Sequence, residues 1–216
     1  MNNEDWDTFW GISPDLVYTI ATDGCLSSGA DTYLRLYDIN MNLLASDDES
    51  GPGACSQITK QFSTGDAYYV QVTDYFGEYA CYTDYDIRIW SFETESNNSI
   101  ATADRLNESA STHISVFKTL VEGYISSTSD LDYFRVYGEA FKTITVDLIV
   151  PSGVDYDLKL EDLSGTVVAS SQNGGSAAEH INFVVPGVAY GPYVIHIYSY
   201  SGSSTSAVYE CYVNIH

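Results

Sequence analysis

The stretch Asp155–Gly165, DYDLKLEDLSG, runs on as TVVASS to Ser171, and the same chain reads DTYLRLYDINM from Asp31 and then NLLASD. Displaced by 124 positions the two segments align without a gap: Asp31 meets Asp155, Leu34 meets Leu158, Leu36 meets Leu160, Asp38 meets Asp162, Ala45 meets Ala169 and Ser46 meets Ser170. Most other pairs are conservative, as Arg35 with Lys159 and Leu44 with Val168. The correspondence extends both ways, DWDTF (Asp5–Phe9) with DLDYF (Asp130–Phe134) and DAYYVQVTDYFG (Asp66–Gly77) with GPYVIHIYSYSG (Gly191–Gly202). An internal repeat of this length predicts two domains, residues 1–92 and 93–216, each large enough for its own core. Residues 92–123 form a leader that precedes the second copy only, polar and acidic, with one helical turn expected near Ala101–Leu106.

The hydrophobic period is two. Leu34 and Leu36 alternate with Tyr33, Arg35 and Tyr37, and Ile144, Val146, Leu148 and Val150 alternate with Thr143, Thr145 and Asp147. Ile87 and Ile89 are expected inward, as are Ile195 and Ile197, with Val194, His196, Tyr198 and Tyr200 on the opposite face. Such alternation marks half-buried antiparallel strands. With Gly- and Ser-rich turns between them, many short strands predict an all-β fold of two tandem antiparallel β-sandwiches.

Charge is the strongest global feature. Thirty acidic residues oppose eight basic ones, for a net charge of −22. Such a surface repels phosphate backbones, so nucleic acid is excluded as a partner, and cations are favoured. No apolar run approaches the ~18 residues of a membrane-spanning helix. The start, MNNEDWDTFW, has neither the basic nor the apolar segment of a signal peptide. Four cysteines suit an oxidising compartment but allow three full pairings. Cys25 and Cys55 flank the repeated hairpin and are the expected disulfide. Cys81 is left in a polar, Tyr-rich loop, and Cys211 is expected as a buried thiol.

Read in order, ETESNNSIATA, VEGYISSTSDLDYFRVY, ITVDLIVPSGVDYDLKLEDLSGTVVASS and GPYVIHIYSYSGSSTSAVYECYV resemble the bacterial pre-peptidase C-terminal domain family, which includes the collagen-binding domains of clostridial collagenases. The resemblance covers residues 93–216; residues 4–92 look like a shortened, divergent copy with three cysteines. It implies a jelly-roll-like sandwich that accompanies the catalytic domain of a secreted, extracellular hydrolase, often a protease, and calcium at an acidic leader.

The leader supplies Glu93, Glu95, Asn97 and Asn98. In an extended segment residues i and i+2 project to one side, so the first three converge. Asp130 and Asp132 repeat that spacing on the next strand. Calcium takes six to eight oxygen ligands, and these six residues are the expected metal site. In the collagenase relatives a similar chelate is built from an E-x-E-x-N-D leader and aspartates before the aromatic strand. Asn98 departs from that pattern, where Asp is usual, and Asp130 stands about one position from the first aspartate. Asp5, Asp7, Asp31, Asp47 and Asp48 of the first copy form a weaker candidate cluster, for which turn capping is the expected role.

Nineteen tyrosines are present, and most suit half-packed strand positions. Tyr193, Tyr198 and Tyr200 are the candidate substrate-binding residues, since exposed rings on a flat sheet suit a fibrous protein or a sugar face. Tyr198 stands where the collagen-binding relatives place a contacting tyrosine. The first copy has Thr73 there, which assigns such activity mainly to the second.

No G-x-S-x-G, H-E-x-x-H, Walker or dinucleotide motif occurs, and the histidines His113, His180, His196 and His216 are scattered. The expectation is a non-catalytic accessory module, stabilised by calcium, that binds insoluble extracellular protein such as collagen, or polysaccharide, on behalf of a catalytic domain in the parent chain. The alternatives are a structural spacer or adhesive module of a cell-surface protein, or a secretion or maturation segment.

Overall fold

The computed structural model describes residues 4–9, 16–25, 30–62, 67–74, 85–106, 117–188 and 191–216. Cys81 and His113 lie outside the described residues. The fold is all-β, with sheets packed as sandwiches, and the chain divides into two compact units, residues 1–90 and 91–216.

The first unit contains β1 (Glu4–Phe9), β2 (Val17–Asp23), β3 (Thr32–Tyr37), β4 (Leu43–Asp47), β5 (Gln57–Gln61), β6 (Tyr68–Asp74) and most of β7 (Asp86–Phe92). One sheet has the order β1-β6-β3-β4, and β7, β2 and β5 neighbour one another in the other. Leu34, Leu36, Val70 and Val72 face inward and are buried with Leu16, Ile20 and Phe62. Ile87 and Ile89 are only half-buried.

The second unit contains β8 (Asp104–Arg105), β9 (Phe117–Gly123), β10 (Leu131–Gly138), β11 (Thr143–Ile149), β12 (Asp155–Asp162), β13 (Val167–Ser171), β14 (Glu179–Val184), β15 (Gly191–Ser201) and β16 (Tyr209–Ile215). Its sheets run β13-β12-β15-β10-β8 and β14-β11-β16-β9. β10 and β11 alternate buried and half-buried residues along most of their length, so Phe134, Val136, Ile144, Val146 and Leu148 form the core with Leu158, Leu160, Ile195, Ile197 and Val213. Truncating one such residue to Ala costs about 2–5 kcal/mol.

The leader differs from its expected form. A turn closed by the Thr102 N–H on the Ser99 carbonyl, 3.0 Å, replaces a helical turn over 101–106. β8 then joins the sheet edge parallel to β10, with Asp104 opposite Phe134. Burial of Leu106 and its N–H bond to the Arg135 carbonyl, 2.8 Å, hold the segment extended.

The hairpins β3–β4 and β12–β13 share their details. Each ladder shifts register at one place, between Leu36 and Tyr37 and between Leu160 and Glu161. Asp38 accepts the N–H groups of Asn40 and Asn42 at 2.9 and 2.8 Å; Asp162 accepts those of Ser164 and Thr166 at 2.8 and 3.0 Å. The Asn42 side-chain amide on Asp38, 2.8 Å, and the Ser164 hydroxyl on Asp162, 2.6 Å, act most strongly, and together with the N–H bonds they favour the ionised carboxylate and lower the pKa of both aspartates.

Candidate metal centre and ring face

Glu93 leaves the end of β7 and is tied to the neighbouring strand by its N–H bond to the Glu122 carbonyl, 2.9 Å. Its side chain turns inward, where Oε1 accepts the Tyr124 N–H at 2.6 Å and Oε2 accepts the Tyr209 hydroxyl at 2.9 Å. Asp132, on the inward phase of β10, accepts the same hydroxyl at 2.7 Å. Glu95 completes a group in which one ligand atom from each of Glu93, Glu95 and Asp132 lies within 4.8 Å of the others. Asn97 is fully buried beside Asp104, its Nδ2 donating to Asp104 Oδ2 at 3.4 Å, and Asp104 Oδ2 also accepts the Thr94 N–H at 2.7 Å.

The electrostatics of this cluster are unfavourable without a cation. Burial raises the pKa of Glu93, Glu95 and Asp132, and neighbouring carboxylates raise them further: Glu95 acts on Glu93, Asp130 and Asp104 on Glu95, and Glu93 and Asp130 on Asp132. Asn97 Oδ1 and Asp132 Oδ1 are buried without a hydrogen-bond partner, a costly state for polar atoms. Gly123 makes room for the arrangement, since a Cβ there would overlap Tyr209 Oη and Glu93 Oε2. All donors in this cluster are oxygens, two are unpartnered and the charge is concentrated, which fits a hard divalent cation such as calcium.

The six leader and strand residues separate into two groups. Glu93, Glu95 and Asp132 come together, with Asn97 alongside. Asn98 is engaged elsewhere: its Oδ1 accepts the Leu131 N–H at 2.9 Å and fixes the start of β10. Asp130 is occupied in part, its Oδ2 accepting the Ser126 N–H and hydroxyl at 2.7 and 2.6 Å. Two residues of the cluster escaped the sequence reading. Asp104 is two positions before buried Leu106 and shares its inward phase, the signal that would have found it. Tyr209 was legible only as a strand residue.

Of the first-copy aspartates, Asp7 and Asp47 accept nearby backbone N–H groups, Asp5 meets a distant residue, and Asp48 Oδ1 is buried without a hydrogen-bond partner. Asp47 accepts the N–H groups of Ser50 and Gln57 at 3.0 and 2.7 Å, Asp7 accepts that of Thr8 at 2.8 Å, and Asp5 accepts the Tyr85 hydroxyl at 2.5 Å. Cys25 and Cys55 form a disulfide. Cys211 is an unpaired, buried thiol, and burial pushes its pKa up.

The face of β15 departs from the alternation in its sequence. Tyr193 is buried on the core side, edge-on to Phe183 at 5.3 Å, and is no surface residue. Val194 and His196 lie on the opposite phase but are buried too. β15 is a central strand, paired with β10 and β12, and the long side chains of both neighbours cover it. His196 stacks on Tyr133 at 4.1 Å and its Nδ1 lies 3.0 Å from Glu161 Oε1. Burial lowers the His196 pKa, against the opposing pull of Glu161. Tyr198 is half-covered, with Lys159 Nζ 4.2 Å above its ring and Gln172 Nε2 donating to its hydroxyl at 2.7 Å. Tyr200 alone is open, 75% exposed.

No protein-family model and no curated protein matches the chain. Among solved structures it is similar to the pre-peptidase C-terminal domain of collagenase from Bacillus anthracis, with 20% identity over 51% of this chain and 93% of that one and a TM-score of 0.40. It is also similar to PliG of Aeromonas hydrophila, a periplasmic inhibitor of g-type lysozyme, with 12% identity over 53% of this chain and 96% of that one and a TM-score of 0.35. Both are partial likenesses, each spanning about half of this chain. No helix among the described residues is long and apolar enough to cross a membrane.

Proposed function

We propose that the chain is a tandem pair of non-catalytic β-sandwich modules from a secreted bacterial hydrolase such as a protease. In this reading the second module is stabilised by calcium at its leader and sets its ring face against an insoluble extracellular protein such as collagen. Support for two copies of one module comes from the strand orders. The order β1-β6-β3-β4 corresponds strand by strand to β10-β15-β12-β13, and β7-β2-β5 corresponds to β16-β11-β14. The register shift in each hairpin falls at aligned residues.

The observation that carries the calcium reading is the pair of unpartnered buried oxygens, Asn97 Oδ1 and Asp132 Oδ1, beside the carboxylates of Glu93 and Glu95. Glu93, Glu95, Asn97 and Asp132 would hold the ion, and Asp104 and Asp130 would add negative charge around it. Bound calcium supplies the positive charge that these carboxylates lack. Glu93, Glu95 and Asn97 would then be fixed to β10 through Asp132, and the leader would be stiffened at the point where the second unit begins. A surface-bound module raises the effective substrate concentration for a catalytic domain tethered to it.

The test is sedimentation with insoluble collagen fibres, in calcium and in chelator, comparing wild type with Tyr198→Ala and Tyr200→Ala. The reading predicts calcium-favoured retention that both variants weaken. Equal partitioning of all three proteins, with and without calcium, would remove it.

A further inference from the structure

We propose that the first unit carries a separate binding face for a neutral polysaccharide, built from Trp6, Arg35, Tyr37 and Gln71. Adjacent strands β1, β6 and β3 place Trp6, Gln71 and Arg35 in one cross-strand row, and Tyr37 follows on the next row of the same face. Trp6 is 45% exposed, and its ring lies 5.5 Å from that of Tyr37 at 37°. Gln71 is 7% exposed, with its carbonyl oxygen taken twice, by Tyr37 Oη at 3.1 Å and Arg35 Nη1 at 3.3 Å. Those bonds orient the amide, whose nitrogen makes no hydrogen bond among the described residues. Arg35 is held in turn by Thr73 Oγ1 at 3.2 Å and by the Tyr33 ring 4.2 Å beneath its guanidinium.

The chemistry of this face matches a sugar. A pyranose presents flat C–H surfaces, which suit aromatic rings, and a rim of hydroxyls that both donate and accept. Rings offer contact area at low conformational cost, and the amide and guanidinium supply directed donors for hydroxyl oxygens. Tyr33 and Tyr37 bracket a span of roughly 13 Å along β3, longer than one ring. Charge narrows the class further. A chain with net charge −22 repels uronates, sulfated glycans and phosphates, and the one cation of the face is already engaged by a ring and two neutral oxygens. Trp, Tyr and Arg also serve protein interfaces, but the oriented amide of Gln71 and the hydroxyl-bearing rings give this face the directed polar groups that sugar hydroxyls need, and the collagen arm of the test separates the two occupants.

This assignment does not rest on the second unit. The residues aligned with Trp6, Arg35, Tyr37 and Gln71 are Leu131, Lys159, Glu161 and His196, a different chemistry at the same place in the fold.

The test uses the full chain, in calcium, with depletion isotherms on insoluble cellulose, chitin, xylan, mannan, β-1,3-glucan and cross-linked dextran, and on collagen fibres. Saturable retention is expected on at least one polysaccharide, falling about tenfold or more in Trp6→Ala and in Gln71→Leu and unchanged in Val188→Ser, an exposed position of the second unit. Trp6→Tyr should keep most of it. If Trp6→Ala proves unfolded by circular dichroism, Gln71→Leu and Trp6→Tyr decide by the same criteria. Failure of every polysaccharide to retain the wild type overturns the proposal. So does retention indifferent to Trp6 and Gln71, or a Trp6-dependent retention confined to collagen.

Discussion

Glu93 and Asp132 share a single proton donor: the hydroxyl of Tyr209 lies 2.9 Å from one carboxylate and 2.7 Å from the other. One O–H satisfies one acceptor at a time; Glu93 keeps the Tyr124 N–H, so Asp132 is the carboxylate that depends on this hydroxyl, on a proton or on a cation. Asp132→Asn separates these outcomes. Without calcium the variant should melt at or above the wild-type temperature, because a repulsive charge has gone. With calcium it should lose the wild-type gain, about 1.4 kcal/mol at tenfold excess over the dissociation constant. Thermal melts of both proteins in calcium and in chelator make the comparison, and a variant that still gains stability from calcium contradicts it.

Gly123 should be irreplaceable for a steric reason. A methyl group there collides with Tyr209 Oη and Glu93 Oε2, so Gly123→Ala should cost about 1–3 kcal/mol and abolish the calcium response. Urea unfolding with and without calcium reads both effects. A variant as stable and as calcium-responsive as wild type would show that the cluster relaxes freely.

Met41 occupies the turn position that Gly165 occupies in the second hairpin. Both have positive φ, 63° and 83°, and each donates its N–H to the backbone carbonyl of the aspartate three residues earlier, at 3.0 and 2.9 Å. A side chain in that conformation costs about 1–2 kcal/mol. Met41 is 51% exposed, so removing it sacrifices little packing. Met41→Gly should therefore stabilise the first unit by up to about 1 kcal/mol, and Gly165→Met should destabilise the second. Denaturant melts of each variant provide the check, and loss of stability in Met41→Gly would count against the conformational account.

His196 gives the second unit an acid-sensitive element. Its folded-state pKa lies below the ordinary value near 6.5 because burial disfavours the cation. A depressed pKa contributes stability above the unfolded value, and that contribution is lost as pH falls through the folded value. With calcium saturating, wild type should lose stability from pH 7.5 to 5, and His196→Gln should lose less. Unfolding free energies at the two pH values supply the test; parallel losses in both proteins would remove His196 as the cause.

Most of the strand pattern was legible because burial on one face imposes a period of two, clearest in β10 and β11. The alternation misled on β15, where neighbours on both sides bury Val194 and His196, and where Tyr193 shares the phase of Ile195. Sheet position, not local sequence, decides that outcome. The leader carboxylates were legible from their i, i+2 spacing. Asp104 and Tyr209 come from distant segments and join the cluster only through strand pairing. The first-unit face was hidden for a related reason: comparison of the two halves looks for Tyr198 and finds Thr73, while the rings stand on β1 and β3.

The most direct measurement of the central claim is calorimetric titration of calcium into the chelator-treated full chain, with magnesium as the control ion. The account predicts saturable calcium binding with a dissociation constant of about 10⁻⁴–10⁻³ M, lost in Asp132→Asn and weakened in Glu95→Gln. Absence of saturable binding, or equal binding by wild type and Asp132→Asn, would contradict it.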